Sequence, residues 1–329
     1  MDKKCKEINL KQLCRYLKKH NNYVILTHIS PDGDTLGSAF ALALALKSIG
    51  KNAFVVSNDN IPQKFDYFVK PANLKSFDYE TIIAVDVADA KLLGSLYEKY
   101  EDKVELTIDH HISNTRYAKH LYLDVKASAT AECVFELIKK LKVKMTPLIA
   151  TCLYTGIATD TGCFKYSNVT PKTHLIAAEL CKNGIDAAEI NRRMFDTKSR
   201  NQVELEKMVL ETAEFHFNDR CMLLTVTSEM QKKSGCEQSE LEGVAVISRT
   251  VEGVKVGVSV KQTEPDLYKI SVRTYEPFDA SRICAELGGG GHKAAGGCSV
   301  NGTLSEVKEK ILGAVGRAFE EYDAGTALN

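Results

Sequence analysis

The stretch THISPDGDTLGS, residues 27–38, places His28, Asp32 and Asp34 within seven positions. Three further places share this composition: Asp86 in IIAVDVAD, the run Asp109-His110-His111 in VELTIDHHIS, and Asp160 in LYTGIATDTGCF. Unpaired carboxylates repel one another and are costly to bury, and a cation among them removes both penalties. The donors are carboxylate oxygens and imidazole nitrogens, with no thiolate. That set suits Mn²⁺, or another hard-to-intermediate divalent ion, better than a Cys-rich zinc site. Asp32, Asp34, Asp86 and Asp160 with His28 and His110 suffice for two ions that share one carboxylate. Ions paired ~3.5–4 Å apart are a common device for in-line hydrolysis of phosphate esters. Taken singly, each residue has a plainer reading as a hydrogen-bonded structural histidine, a turn aspartate or a helix cap. The recurrence of one design at four places is what points to metal.

Residues so far apart in sequence must be brought together by the fold. The first half alternates strand and helix signals. Strands are expected at Tyr23–Thr27, Ala53–Ser57, Thr81–Val85 and Val104–Ile108, and helices at about 37–49 and 129–141 and from Pro147 onward. This alternation predicts an α/β fold, a mostly parallel sheet flanked by helices. All four ligand groups, Asp160 included, are expected just past a strand. In an open parallel sheet the C-terminal strand ends lie along one edge, where ligands bind. After about residue 190 the pattern changes to a helix over Val203–Phe215 and then short strands in CMLLTVT, VAVISRT, VKVGVSVKQ and YKISVRTYE. The expected organisation is a catalytic domain over 1–190, a helical connector over 191–215 and a smaller α+β domain over 216–329.

Within that second part, GGGGHKAAGG (288–297) reads either as a flexible linker or as a backbone cradle. Glycine allows close approach, and successive N–H groups can hold a phosphate. The 329 residues carry 43 basic and 43 acidic side chains, so a large basic nucleic-acid surface is not expected. No apolar run approaches the ~18 residues of a membrane span. The ten cysteines form no C-x-x-C pair and lie in apolar segments, as reduced thiols of a cytoplasmic protein would.

The set HISPDGD, VDVAD, DHH and ATDTG resembles, in order, the four motifs of the DHH phosphoesterase superfamily. GGGGHKAAGG resembles the signature of the associated nucleic-acid-binding (DHHA1) domain. The two-domain size is similar to that of its stand-alone nanoRNase members, which are oligoribonucleases and 3′-phosphoadenosine 5′-phosphate phosphatases. The resemblance implies that His28 and Asp32 bind one metal, that Asp34, His110 and Asp160 bind the other, and that Asp86 bridges them. It implies that Asp109 orients a neighbouring histidine and that His111 faces the scissile phosphate. Arg273, His292 and the backbone of Gly289, Gly290 and Gly291 would hold the terminal phosphate of a short substrate lying between the two domains. The implied function is metal-dependent hydrolysis of short single-stranded RNA oligonucleotides to mononucleotides, and of 3′-phosphoadenosine 5′-phosphate, by two-metal activation of water. A cyclic di-AMP or linear pApA phosphodiesterase is the alternative within the superfamily. A non-catalytic nucleotide- or RNA-binding module is the alternative outside it. Two Mn²⁺ ions, small nucleotide or RNA partners and a homodimer belong to the same set of expectations.

Overall fold

The computed structural model describes residues 5–236 and 243–325. The chain divides into two compact units, Met1–Thr197 and Lys198–Asn329.

The strands of the first unit are β1 (Lys6–Glu7), β2 (Tyr23–Leu26), β3 (Ala53–Val56), β4 (Thr81–Val85), β5 (Leu106–Asp109) and β6 (His120–Leu123). Its helices are α1 (Leu10–Lys19), α2 (Gly33–Ser48), α3 (Asp66–Ala72), α4 (Tyr97–Tyr100), α5 (Thr130–Leu141), α6 (Pro147–Asp160), α7 (Pro171–Cys181) and α8 (Ala187–Asn191). The strands pair in the order β1-β6-β5-β4-β2-β3, all parallel. Strands buried on both faces must be apolar throughout. In β2, Tyr23 and Ile25 enter one core with Leu36, Leu42, Leu137 and Ile157, whereas Val24 and Leu26 enter a second core with Phe54, Leu93 and Tyr100. The chain leaves β2 for β3 on one side and returns to β4 on the other. The C-terminal ends of β2, β4 and β5 therefore lie side by side at a topological switch point, the position that favours a ligand site.

Two local expectations change here. Helix α2 begins at Gly33 rather than near residue 37, because Asp32 caps it: its side chain accepts from the Asp34 and Thr35 amides at 2.9 and 3.1 Å. Asp34 thus sits in the first helical turn. Asp160 follows no strand; it is the last residue of α6, where Thr146 and Pro147 start the helix as an N-cap and N1 pair.

The second unit holds β7 (Glu214–His216), β8 (Cys221–Val226), β9 (Val256–Glu264), β10 (Leu267–Thr274), β11 (Gly290–His292) and β12 (Ala295–Asn301). Its helices are α9 (Arg200–Leu210), α10 (Ser228–Ser234), α11 (Gly243–Ile247), α12 (Ala280–Ala285) and α13 (Leu304–Asp323). The sheet order is β11-β12-β10-β9-β8-β7, antiparallel except for β8 with β9. One face buries Val258, Val260, Ile270 and Val272 with Ile283, Ile311 and Val315. The segment 203–215 is a shorter helix followed by β7, and Leu205 and Val209 of α9 pack on Met222 and Leu224 of β8. VAVIS is helical rather than extended; Val244 joins that same core, so packing overrides its strand-like composition. No helix among the described residues is long and apolar enough to cross a membrane.

Candidate metal centre and phosphate-binding face

His28 follows β2, Asp86 follows β4, and Asp109 ends β5 with His110 and His111 behind it. Because these strands are neighbours, their end residues converge. Asp86 has φ +61°, a left-handed conformation that costs an L-residue roughly 1–2 kcal/mol and that Asp tolerates better than most. Helix α2 brings Asp32 and Asp34, and α6 brings Asp160. The structure gathers all six expected ligands into overlapping groups: His28, Asp32 and Asp86; Asp34, His110 and Asp160; and Asp86, His110 and His111. Asp86 belongs to two of them.

The imidazoles show what the groups are built for. His28 Nδ1 lies 2.7 Å from the Ile29 carbonyl, and His110 Nδ1 lies 3.1 Å from the Ala127 carbonyl. A carbonyl only accepts, so each Nδ1 carries a proton and each Nε2 faces the cluster, where it takes either a second proton or a cation. His28 Nε2 is 3.7 Å from both Asp32 Oδ1 and Asp86 Oδ2; His110 Nε2 is 3.4 Å from Asp160 Oδ2 and 3.8 Å from Asp86 Oδ1. These gaps are long for hydrogen bonds, and His110 Nε2 is buried without a hydrogen-bond partner. A backbone-held Nδ1–H with Nε2 turned toward carboxylates is the usual arrangement of a ligating histidine. The donor set therefore fits a pair of divalent cations.

The electrostatics agree. Burial, followed by the charge of Asp86, pushes the Asp34 carboxyl up to about 7, with His110 opposing. Burial and the charges of Asp34, Asp86 and Asp32 likewise drive Asp160 well above the usual range. Burial works against a charged His28, but the two nearby carboxylates, Asp32 and Asp86, outweigh it and carry the imidazole up to about 11. Asp32, whose side chain is 50% exposed, is held below its ordinary value by His28 and the Thr35 and Asp34 amides despite the desolvation it suffers. Without a cation, the cluster would have to hold protons instead.

Asp109 is fully buried, and both of its carboxylate oxygens are taken up by hydrogen bonds. Its Oδ1 accepts from the His110 and His111 amides and from His111 Nδ1 at 2.8 Å, and its Oδ2 accepts from Asn114 at 2.6 Å. These donors, His111 first, hold it charged and low against burial. The same bond turns the Nε2 edge of His111 away from Asp109.

Several contributors are not evident from motifs. Asp34 accepts from the Thr130 amide at 2.6 Å, the Ala131 amide at 2.9 Å and the Ser38 hydroxyl at 3.1 Å, so the N-terminus of α5 holds this carboxylate. There the helix dipole favours negative charge. Gly156 makes room for it: a Cβ there would sit 2.8 Å from Asp34 Oδ1 and 2.7 Å from Ala131 Cβ. Asn168 donates to the main-chain carbonyls of Ser128 and Asp160 at 2.9 and 3.1 Å, tying the end of α6 to the approach to α5. In the sequence, Thr130 shows only as a helix-capping type, and Asn168 carries no local signal.

In the second unit the glycine run is no linker. Gly290–His292 forms β11 and pairs with Ala295–Gly297 of β12. A Cβ at Gly289 or Gly291 would meet the carbonyl oxygen of Gly297 or Ala295 at 2.2 or 2.4 Å, so glycine lets this hairpin close. Arg273 on β10 and His292 on β11 both pair with Ala295 of β12, which puts them on one face of the sheet. On that face, Ser259, Lys261, Lys269, Ser271 and Arg273 line a cavity of about 250 Å³ with Val226, Val244 and Ala245.

Residues 22–157 match the DHH family, N-terminal domain, and residues 220–321 match the DHHA1 domain. The bifunctional oligoribonuclease and PAP phosphatase NrnA of Thermus thermophilus is 36% identical over 299 residues, 88% of each chain. The chain belongs to the DHH family. Among solved structures, an exopolyphosphatase-related protein from Bacteroides fragilis has a TM-score of 0.84 at 25% identity, covering 96% of this chain and 97% of its own. The exonuclease RecJ bound to manganese has a TM-score of 0.52 at 14% identity over 94% of each chain, a likeness of fold.

Proposed function

We propose that this chain is a divalent-metal-dependent phosphoesterase that hydrolyses short RNA oligonucleotides to mononucleotides and removes phosphate from 3′-phosphoadenosine 5′-phosphate. The observation that carries this reading is the pair of carboxylate–imidazole groups sharing Asp86, in a chain alignable over 88% of an oligoribonuclease and PAP phosphatase. His28, Asp32 and Asp86 would hold one ion, and Asp34, His110, Asp160 and Asp86 the other. When bound, two such ions supply activation of water and neutralisation of charge on phosphate oxygens. Mn²⁺ is our assignment, supported by an oxygen-and-imidazole donor set without thiolate and by the manganese in the RecJ structure.

The chain's own residues do the rest. Asp109 accepts from His111 Nδ1, and against the burial of the ring it and the charge of Asp86 favour the imidazolium, whose Nε2–H stabilises charge on the scissile phosphate or delivers its proton to the leaving oxygen. Arg273 binds a second phosphate through two parallel hydrogen bonds, with His292 on the same face of the sheet and the glycine backbone of 289–291 at its edge. The name of the Thermus relative favours oligoribonucleotides over cyclic di-AMP or pApA as substrates. A cytoplasmic location and a homodimer are part of the proposal, the latter open to light scattering.

The test is turnover with Mn²⁺ of an RNA 3-mer, a 24-mer, 3′-phosphoadenosine 5′-phosphate, cyclic di-AMP and pApA. Rapid hydrolysis of the 3-mer and the phosphoadenosine, with cyclic di-AMP untouched, is expected. Preference for cyclic di-AMP or pApA would overturn the substrate assignment. Inertness toward all five would overturn the enzyme.

A further inference from the structure

Thr130 touches two metal-site carboxylates at once. Its amide donates to Asp34 Oδ2 at 2.6 Å, and its hydroxyl donates to Asp86 Oδ1 at 2.8 Å. Thr130, Asp34 and Asp86 are all buried, so water does not substitute for either bond. The two oxygens of Asp86 are not equivalent. Oδ1 faces His110 Nε2 at 3.8 Å and His111 Nδ1 at 3.6 Å, and Oδ2 faces His28 Nε2 at 3.7 Å. The hydroxyl therefore contacts only the His110 side. Asp34 belongs to that same side, grouped with His110 and Asp160. Both contacts of Thr130 thus converge on one of the two cation positions, and none goes to His28 or Asp32.

We infer that Thr130 is a positioning residue selective for one metal: it presets Asp34 and Asp86 Oδ1 for the ion held with His110 and Asp160 and leaves the His28–Asp32 position alone. The inference rests on the two-metal reading above. Orienting partners of this kind commonly change metal affinity by ~10–100-fold. A carboxylate oxygen has two lone pairs, so Asp86 Oδ1 can accept from Thr130 and still face a cation. The residue type fits the task, because a serine keeps the hydroxyl while a valine keeps the shape without it.

The experiment is isothermal titration of chelator-treated protein with Mn²⁺, for wild type, Thr130→Val and Thr130→Ser, each also in His28→Ala and His110→Ala backgrounds. Wild type should bind two ions. Thr130→Val should weaken one binding event about tenfold or more and leave the other unchanged, and Thr130→Ser should restore it. With His28→Ala, the remaining event should still respond to Thr130→Val; with His110→Ala it should not. Equal weakening of both events, no weakening, or failure of serine to rescue would overturn the role of Thr130 while the two-metal reading stands. Fewer than two ions bound by wild type would overturn both.

Discussion

Removing divalent metal should make the protein progressively less stable between pH 5 and 8. Asp34 is fully buried beside Asp86, Asp32 and His110, and its carboxyl is pushed up to about 7 from an ordinary 3.8. Well below pH 3.8 it is neutral in both the folded and unfolded states and costs nothing. As pH rises, the unfolded chain releases this proton while the folded protein retains it, so stability is lost until the pH passes the folded value. At about 1.36 kcal/mol per unit, the interval from pH 5 to 7 costs roughly 3 kcal/mol, on the order of 5–10 °C in Tm for a unit of this size. His28 acts in the same direction: its value is carried up to about 11, and the stability of its protonated form is present below 6.5 and lost as pH climbs toward 11. Asp109, held low, matters only in acid. Bound cations take the place of the protons, and their affinity rises with pH. Thermal unfolding followed by circular dichroism at pH 5, 6, 7 and 8, with chelator or with Mn²⁺, reads this out. The chelated Tm should fall and the gap to the Mn²⁺ sample should widen. A chelated Tm that holds steady, or a Mn²⁺ increment equal at every pH, would refute the coupling.

Asp86→Asn should lower kcat by ~10³-fold or more while leaving the circular dichroism spectrum intact; asparagine is the informative replacement because it also tolerates φ +61°. Full activity in that variant would remove Asp86 from the centre. Gly156→Ala should cost about 1–3 kcal/mol in urea unfolding and weaken Mn²⁺ binding, since the new methyl meets Asp34 and Ala131. Arg273→Ala should raise KM for an RNA 3-mer about 10–100-fold with kcat within a few-fold, and Arg273→Lys should recover only part of it. An unchanged KM would place the phosphate elsewhere.

What the sequence discloses follows from where each residue stands. His28, Asp86 and Asp109 come directly after apolar runs, and β2, β4 and β5 form where those runs are; a carboxylate at a strand end needs no tertiary knowledge to be noticed. Asp32 is legible twice over, because its cap and its ligand geometry use the same carboxylate. The apolar run before Asp160 reads as a strand, yet LYTGIATD continues a helix begun at Pro147, and a short apolar run does not distinguish the two. VAVIS is a like case, its β-branched composition overridden by burial of Val244 beside Met222 and Leu224. Thr130 was hidden for a different reason: its role exists only because α5 arrives with its N-terminus against α2, a juxtaposition no local pattern encodes. The shared face of Arg273 and His292 likewise depends on register through Ala295.

The most direct measurement of a paired-cation centre is anomalous scattering at the manganese edge from crystals grown with Mn²⁺. Two peaks are expected ~3.5–4 Å apart, one among His28, Asp32 and Asp86 and one among Asp34, His110, Asp160 and Asp86. A single peak, or none at these residues, would contradict a two-metal phosphoesterase.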